Sequence, residues 1–94
     1  MVKLVFVGHI KNVVGVSTIE FRLNEKMELG KFFQLVLNTY PNLGKLLNRE
    51  GRINEGEFLI LINGVDIRVF SNPYKDIEVE DTDEIVFIPI THGG

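Results

Sequence analysis

Only one stretch of this chain has a helical period long enough to build a full helix. Leu29, Phe32, Phe33, Val36, Leu37 and Tyr40 recur at three- and four-residue steps, which places them on one helix face. Lys31, Gln34 and Asn38 fall away from that stripe. Pro41 disfavours helical backbone in the residue before it, so the helix is predicted to stop near Thr39 or Tyr40. Its start carries no clear signal, and Gly30 weakens it by roughly 1 kcal/mol against alanine. One apolar helix stripe needs one surface to cover. The rest of the chain must supply it as a sheet.

The flanking runs read as strands. Val2 to Val7 is short, apolar and rich in valine. Val13 to Leu23 follows, and its second half alternates: Ile19, Phe21 and Leu23 against Thr18, Glu20 and Arg22, the pattern of a half-buried strand. Beyond the helix, residues 41–57 form an irregular, locally basic connector in which Leu43, Leu46 and Leu47 can tuck against the core. Phe58 to Ile62 is a continuous apolar strand closed by Asn63-Gly64, a strong signal for a tight hairpin. Val65 to Val69 is the expected return strand. Asn72-Pro73 marks a further turn. Residues 76–84 are acidic, and Ile85 to Ile88 is a last strand whose pairing Pro89 is expected to end. This order predicts an α+β roll: a mixed sheet of about five strands with one main helix packed on one face. The 94 residues leave room for a single domain, 1–94, with a C-terminal tail from 90 to 94.

Composition narrows the chemistry. Cysteine is absent, which excludes disulfides, thiolate metal sites and a cysteine nucleophile. Two histidines, His9 and His92, are too few for a histidine-built metal centre. A net charge of −3 argues against direct nucleic-acid binding. No apolar run is long enough to span a bilayer, and a cytoplasmic protein is expected. Phosphate-binding, zinc-protease and serine-hydrolase motifs are missing. No bound cofactor, metal or enzymatic activity of its own is expected. The acidic residues Asp76, Glu78, Glu80, Asp81, Asp83 and Glu84 read either as a solvated turn or as a patch steering a basic partner.

The sharpest local feature is the terminal Gly93-Gly94. It can be a fraying end. It also makes a thin thread without Cβ atoms, able to pass a narrow channel and deliver the α-carboxylate to another protein's active site. That carboxylate is ionised at neutral pH and a poor electrophile until activated. On this reading the chain is a substrate rather than a catalyst.

Strand alternation also points to a docking surface. If Val2, Leu4, Phe6, Ile85 and Phe87 face the helix, then Val5, Val7, Val86, Ile88, Leu59 and Leu61 face away from it. They would form an apolar patch next to the tail, of the kind that marks interaction sites. A shift of one residue in phase would instead bury them.

These features together resemble the ubiquitin-like β-grasp sulfur-carrier family: the small subunit of molybdopterin synthase, the thiazole-synthesis sulfur carrier and the ubiquitin-related modifier. The resemblance rests on Tyr40-Pro41 with Leu43 and Gly51-Arg52, on Ile62-Asn63-Gly64 with Asp66-Ile67, and on Asp81-Thr82-Asp83-Glu84-Ile85 through Pro89 to Gly94. His92 directly before Gly-Gly is closer to the ubiquitin-related modifier. The resemblance implies a β-grasp fold. It implies that a ubiquitin-activating-type adenylyltransferase, using ATP and Mg²⁺, adenylates Gly94, with Gly93 and His92 as recognition residues. A thiocarboxylate then forms and serves a sulfur-accepting enzyme such as a molybdopterin-synthase large subunit, for molybdenum cofactor, thiamine or tRNA thiolation. Two alternatives stand beside it: a modifier joined to lysines through Gly94, and an interaction module whose tail is irrelevant.

Overall fold

A computed structural model describes residues 1–53 and 56–90. Five strands form the main sheet in the order β2-β1-β7-β4-β5: β1 (Val2–Phe6), β2 (Thr18–Phe21), β4 (Phe58–Ile62), β5 (Val65–Asp66) and β7 (Glu84–Pro89). The central pair β1 and β7 is parallel, and the other pairings are antiparallel. Helix α2 (Leu29–Thr39) covers one face. This is the α+β roll expected from the order of apolar periods, and the β-grasp architecture that the resemblance implies.

Most of the helix stripe is buried as its spacing requires: Leu29, Phe32, Phe33 and Val36 are fully enclosed, Leu37 is half-buried, and Tyr40, beyond the helix end, is exposed. Phe33 sits at the centre, with ring centroids 5.7 Å from Phe87 of β7, 6.1 Å from Phe32 and 6.4 Å from Tyr74. Burying a side chain of this kind stabilises the fold by about 1.5–3 kcal/mol. The helix ends where Pro41 demands it: Tyr40 is extended, at φ −124° and ψ 81°. Its start has no side-chain cap, and the Leu29 N–H instead donates to the Ile77 carbonyl at 2.9 Å. That bond is tertiary, so no local signal announces it.

The structure corrects several sequence expectations. The run beginning at Val13 is not all strand. Ile10–Val14 forms a short helix, α1, closed by Gly15 at φ +99°. Ile10 and Val14 are buried at helical spacing, so the period changes within one apolar run. The return strand stops at Asp66, because Ile67–Val69 turns into a 3-10 helix whose first turn is capped by the Asp66 carboxylate. Asn72-Pro73 opens a one-turn helix, α3 (Pro73–Asp76). A second, two-stranded sheet joins β3 (Met27–Glu28) to β6 (Glu78–Val79).

Pro89 stays in the ladder, opposite Phe58. The Ile90 N–H donates to Glu57 O and the Asn63 N–H to Glu84 O, each at 2.9 Å. Hydrogen-bonded and non-hydrogen-bonded positions alternate in an antiparallel pair, so Pro89 occupies a position where β4 requires no N–H from it. The leucines of the connector behave as expected. Leu43, Leu46 and Leu47 are buried, beneath a 3-10 turn at Pro41–Lys45. No described helix is long and apolar enough to cross a membrane.

Candidate functional site

The expected outward residues do lie on one face. Val5 and Leu61 are both direct neighbours of Val86, and Leu59 pairs with Ile88. The Val7 N–H donates to the Phe87 carbonyl at 3.0 Å, which sets Val7 beside Ile88. Val7 is exposed and the other five are half-buried, while Leu4, Phe6, Ile60, Ile85 and Phe87 of the same strands are buried on the helix side. The six thus make a continuous apolar surface over β1, β7 and β4, with cross-strand neighbours about 5 Å apart.

Charged groups rim this surface. Lys3 and Glu84 are paired residues at one end. Asp66 lies opposite Leu61 and takes a forked interaction from Arg68, with Nη2 to Oδ2 at 2.7 Å and Nε to the two carboxylate oxygens at 3.0 and 3.1 Å. The Arg68 side-chain hydrogen bonds, followed by its backbone N–H, hold the Asp66 carboxyl below the usual carboxylate value. The rim therefore stays charged at neutral pH.

The tail leaves from the middle of the sheet. β7 is hydrogen-bonded on both sides, and Ile90 is still held by Glu57. Gly8, at φ +61°, passes Pro89 so closely that a Cβ there would lie 3.3 Å from Pro89 Cγ. The chain is thus clamped up to Ile90. Residues 91–94, including His92, Gly93 and Gly94, lie outside the described residues.

Other candidates resolve into structural roles. His9 sits at the start of α1 without a side-chain capping bond. Asp81 Oδ1 accepts the Leu23 N–H at 2.8 Å, Asp83 Oδ2 accepts the Glu80 N–H at 2.8 Å and Asp76 Oδ2 accepts the Asn72 N–H at 3.1 Å. Asp76 and Asp83 thus brace their own loops, while Asp81 ties its loop to the end of the segment after β2. Glu80 pairs with Lys26 at 2.8 Å. Among the described residues no cluster of histidine, aspartate and glutamate is arranged to hold a metal.

The family model for Urm1 (Ubiquitin related modifier) matches residues 2–94. The chain belongs to the Urm1 family. This is a family of small ubiquitin-like carrier and modifier proteins. Urm1 of Sulfolobus solfataricus is 25% identical, with 94% of this chain and 99% of that one covered at a TM-score of 0.62. SAMP1 from Haloferax volcanii matches at 16% identity over 99% and 98%, TM-score 0.70. A chain of the Amycolatopsis orientalis BexX/CysO complex matches at 17% identity over the full length of both, TM-score 0.74. These last two likenesses concern the fold. Among curated proteins, no sequence match was found. The Urm1 assignment includes Gly93-Gly94, the segment on which the sequence reading turns.

Proposed function

We propose that this Urm1-family chain is a sulfur carrier that works through the carboxyl group of Gly94. The observation that carries the reading is a Gly-Gly terminus inside a family match over residues 2–94, in a chain whose last described strand, β7, is central to a β-grasp sheet. A carboxylate oxygen of Gly94 attacks the α-phosphorus of ATP, and pyrophosphate leaves. Hydrosulfide, or its equivalent on a sulfur donor, then attacks the carbonyl carbon and AMP leaves. The C-terminus ends as a thiocarboxylate, with one oxygen replaced by sulfur.

A ubiquitin-activating-type adenylyltransferase would bring ATP and Mg²⁺, grip the face made by Val5, Val7, Leu59, Leu61, Val86 and Ile88, and draw in His92-Gly93-Gly94. A sulfur-accepting enzyme, such as a molybdopterin-synthase large subunit, would use the same face in turn. The likeness to a chain from the BexX/CysO complex supports a role beside a partner protein, and ATP-dependent activation suits the cytoplasm. The test is intact-mass measurement after incubation with a cognate activating enzyme, Mg-ATP and a sulfide donor. The expected result is an oxygen-to-sulfur mass gain confined to Gly94. Adenylation without any gain in sulfur would overturn the carrier reading.

A second reading has its own support, the family's description as a ubiquitin-related modifier and His92 before Gly-Gly. In it the activated Gly94 carbonyl is attacked by a lysine amine and an isopeptide bond forms. Tagged protein should then give higher-mass adducts in cells that vanish when Gly93 and Gly94 are removed. Adducts that survive the deletion would exclude it.

A further inference from the structure

Asn63 is the only asparagine in the chain followed by glycine, and no aspartate precedes a glycine. The pair has a chemistry of its own beside its turn geometry. The backbone nitrogen after an asparagine can attack the side-chain amide carbon and close a five-membered imide ring. Glycine in that place puts no side chain in the way. Here the attacking nitrogen is open. Gly64 is exposed, and a Cβ there would meet nothing within 4 Å. Its N–H donates to no group among the described residues.

The amide under attack is held. Asn63 Nδ2 donates to Asp83 Oδ1 and Asn63 Oδ1 accepts the Glu84 N–H, each at 2.9 Å. The Asn63 backbone N–H donates to the Glu84 carbonyl. Both polar atoms of the side chain are thus drawn towards β7, which lies on one side of β4, whereas Gly64 leads into β5 on the other. Asp83 is itself steadied, because its Oδ2 accepts the Glu80 N–H at 2.8 Å. Ring closure has to swing the amide carbon back over its own chain, which breaks both side-chain bonds. It also locks the Asn63 ψ into the ring, against the left-handed conformation, φ +49°, in which the two-residue turn holds this residue.

We propose that Asn63 is a site of spontaneous deamidation, restrained by Asp83 in the folded chain and released when this clasp opens. In the first step the Gly64 nitrogen gives up its proton and bonds to Asn63 Cγ, the Cγ–Nδ2 bond breaks, and ammonia leaves with that proton. Water then adds to either imide carbonyl and opens the ring. Residue 63 ends as aspartate, or as isoaspartate with the main chain running through the side-chain carbon. Water is the one co-reactant. Either product breaks the clasp. Aspartate has no amide donor and sets a second carboxylate against that of Asp83, a like-charge pair. Isoaspartate adds an atom to the main chain of a turn whose length fixes the pairing of Ile62 with Val65. The reaction runs through the locally open population, so it marks copies in which the end of β4 has come loose from β7.

The test incubates the whole chain in mildly alkaline buffer and follows the amide-to-acid mass gain by peptide mapping, with isoaspartate counted by enzymatic methylation. Conversion should fall at Asn63 before any other asparagine, and should be many-fold faster in the urea-unfolded chain. Asp83→Ala should speed it about tenfold in the folded chain, the factor for losing a hydrogen bond to a charged group. Gly51→Ala strains a loop packed on Gly30, away from the clasp, and should leave the rate at the parent value. If Asp83→Ala fails to fold, hydrogen exchange decides: the deamidated protein, isolated by its added charge, should exchange the Glu84 amide faster than the parent. The proposal is overturned by equal rates in the folded and unfolded parent chain, by first conversion at another asparagine, by an Asp83→Ala rate equal to or below the parent's, by equal acceleration from Gly51→Ala, or by unchanged Glu84 exchange after deamidation.

Discussion

Asn63 and Asp83 clasp the end of β4 to the start of β7. The Asn63 side-chain amide donates to Asp83 Oδ1 at 2.9 Å, while its Oδ1 accepts the Glu84 N–H at 2.9 Å. Asn63 itself sits at φ +49°, a conformation asparagine tolerates better than most residues. One residue thus sets the turn after β4 and ties it to the start of β7. Asn63→Gly should keep the turn and lose the clasp, at about 1 kcal/mol for exposed bonds. Asn63→Ala should lose both, at about 2 kcal/mol or more. Urea unfolding of the two variants measures the difference, and equal stabilities would mean the backbone conformation carries no strain.

Phe87 and Ile88 are chain neighbours on opposite faces of β7. Phe87 is fully buried, its ring centroid 5.3 Å from that of Phe6 and 5.7 Å from that of Phe33 in tilted contacts. Phe87→Asp places an unpaired charge there and should exceed the ~5–15 kcal/mol that holds a domain together. Ile88→Asp meets solvent on the apolar face and should cost about 1 kcal/mol. Circular-dichroism melts should show the first variant unfolded and the second cooperative. The folded Ile88→Asp protein then tests the docking face directly, by loss of binding to an activating enzyme.

Gly51 and Gly64 both have positive φ, at +77° and +84°, yet substitution should affect them unequally. A Cβ at Gly51 would lie 2.5 Å from the Gly30 carbonyl oxygen, whereas one at Gly64 meets nothing within 4 Å. Gly64→Ala should lose about 1 kcal/mol to backbone strain. Gly51→Ala adds a backbone clash, for about 2–4 kcal/mol. Thermal denaturation of both proteins checks the ranking.

Asp81 links stability to pH. The Leu23 N–H, foremost, lowers its carboxyl below the ordinary 3.8. A lowered folded value means the stabilisation is complete above 3.8 and disappears as pH falls through the lowered one. Asp81→Asn should therefore melt below the parent protein at pH 7, with the gap closing under acid conditions. A Tm difference that stays constant from pH 7 to strong acid would show that charge has no part in the contact.

The helix from Leu29, the apolar strands ending in Phe6, Ile62 and Ile88, and the Asn63-Gly64 turn were legible because each repeats its own period locally. Asn72-Pro73 reads as a turn, yet proline also suits the first helical position, and α3 forms there. Other elements had no such signal. The short β3–β6 sheet has two residues per strand, too few to show alternation. α1 spans residues that read as loop and the first two of a run that reads as strand, and becomes helix as its Ile10 and Val14 are buried.

Sequence by itself determined the architecture and supplied the Gly-Gly end on which the proposed function rests. One helix stripe among strands demanded a sheet with one covered face. Tertiary structure decided which strands are neighbours. Parallel pairing of β1 with β7 joins residues far apart in the chain, and no local pattern encodes that contact. That pairing gathers Val5, Val86 and Leu61 into one row and seats the tail on the central strand.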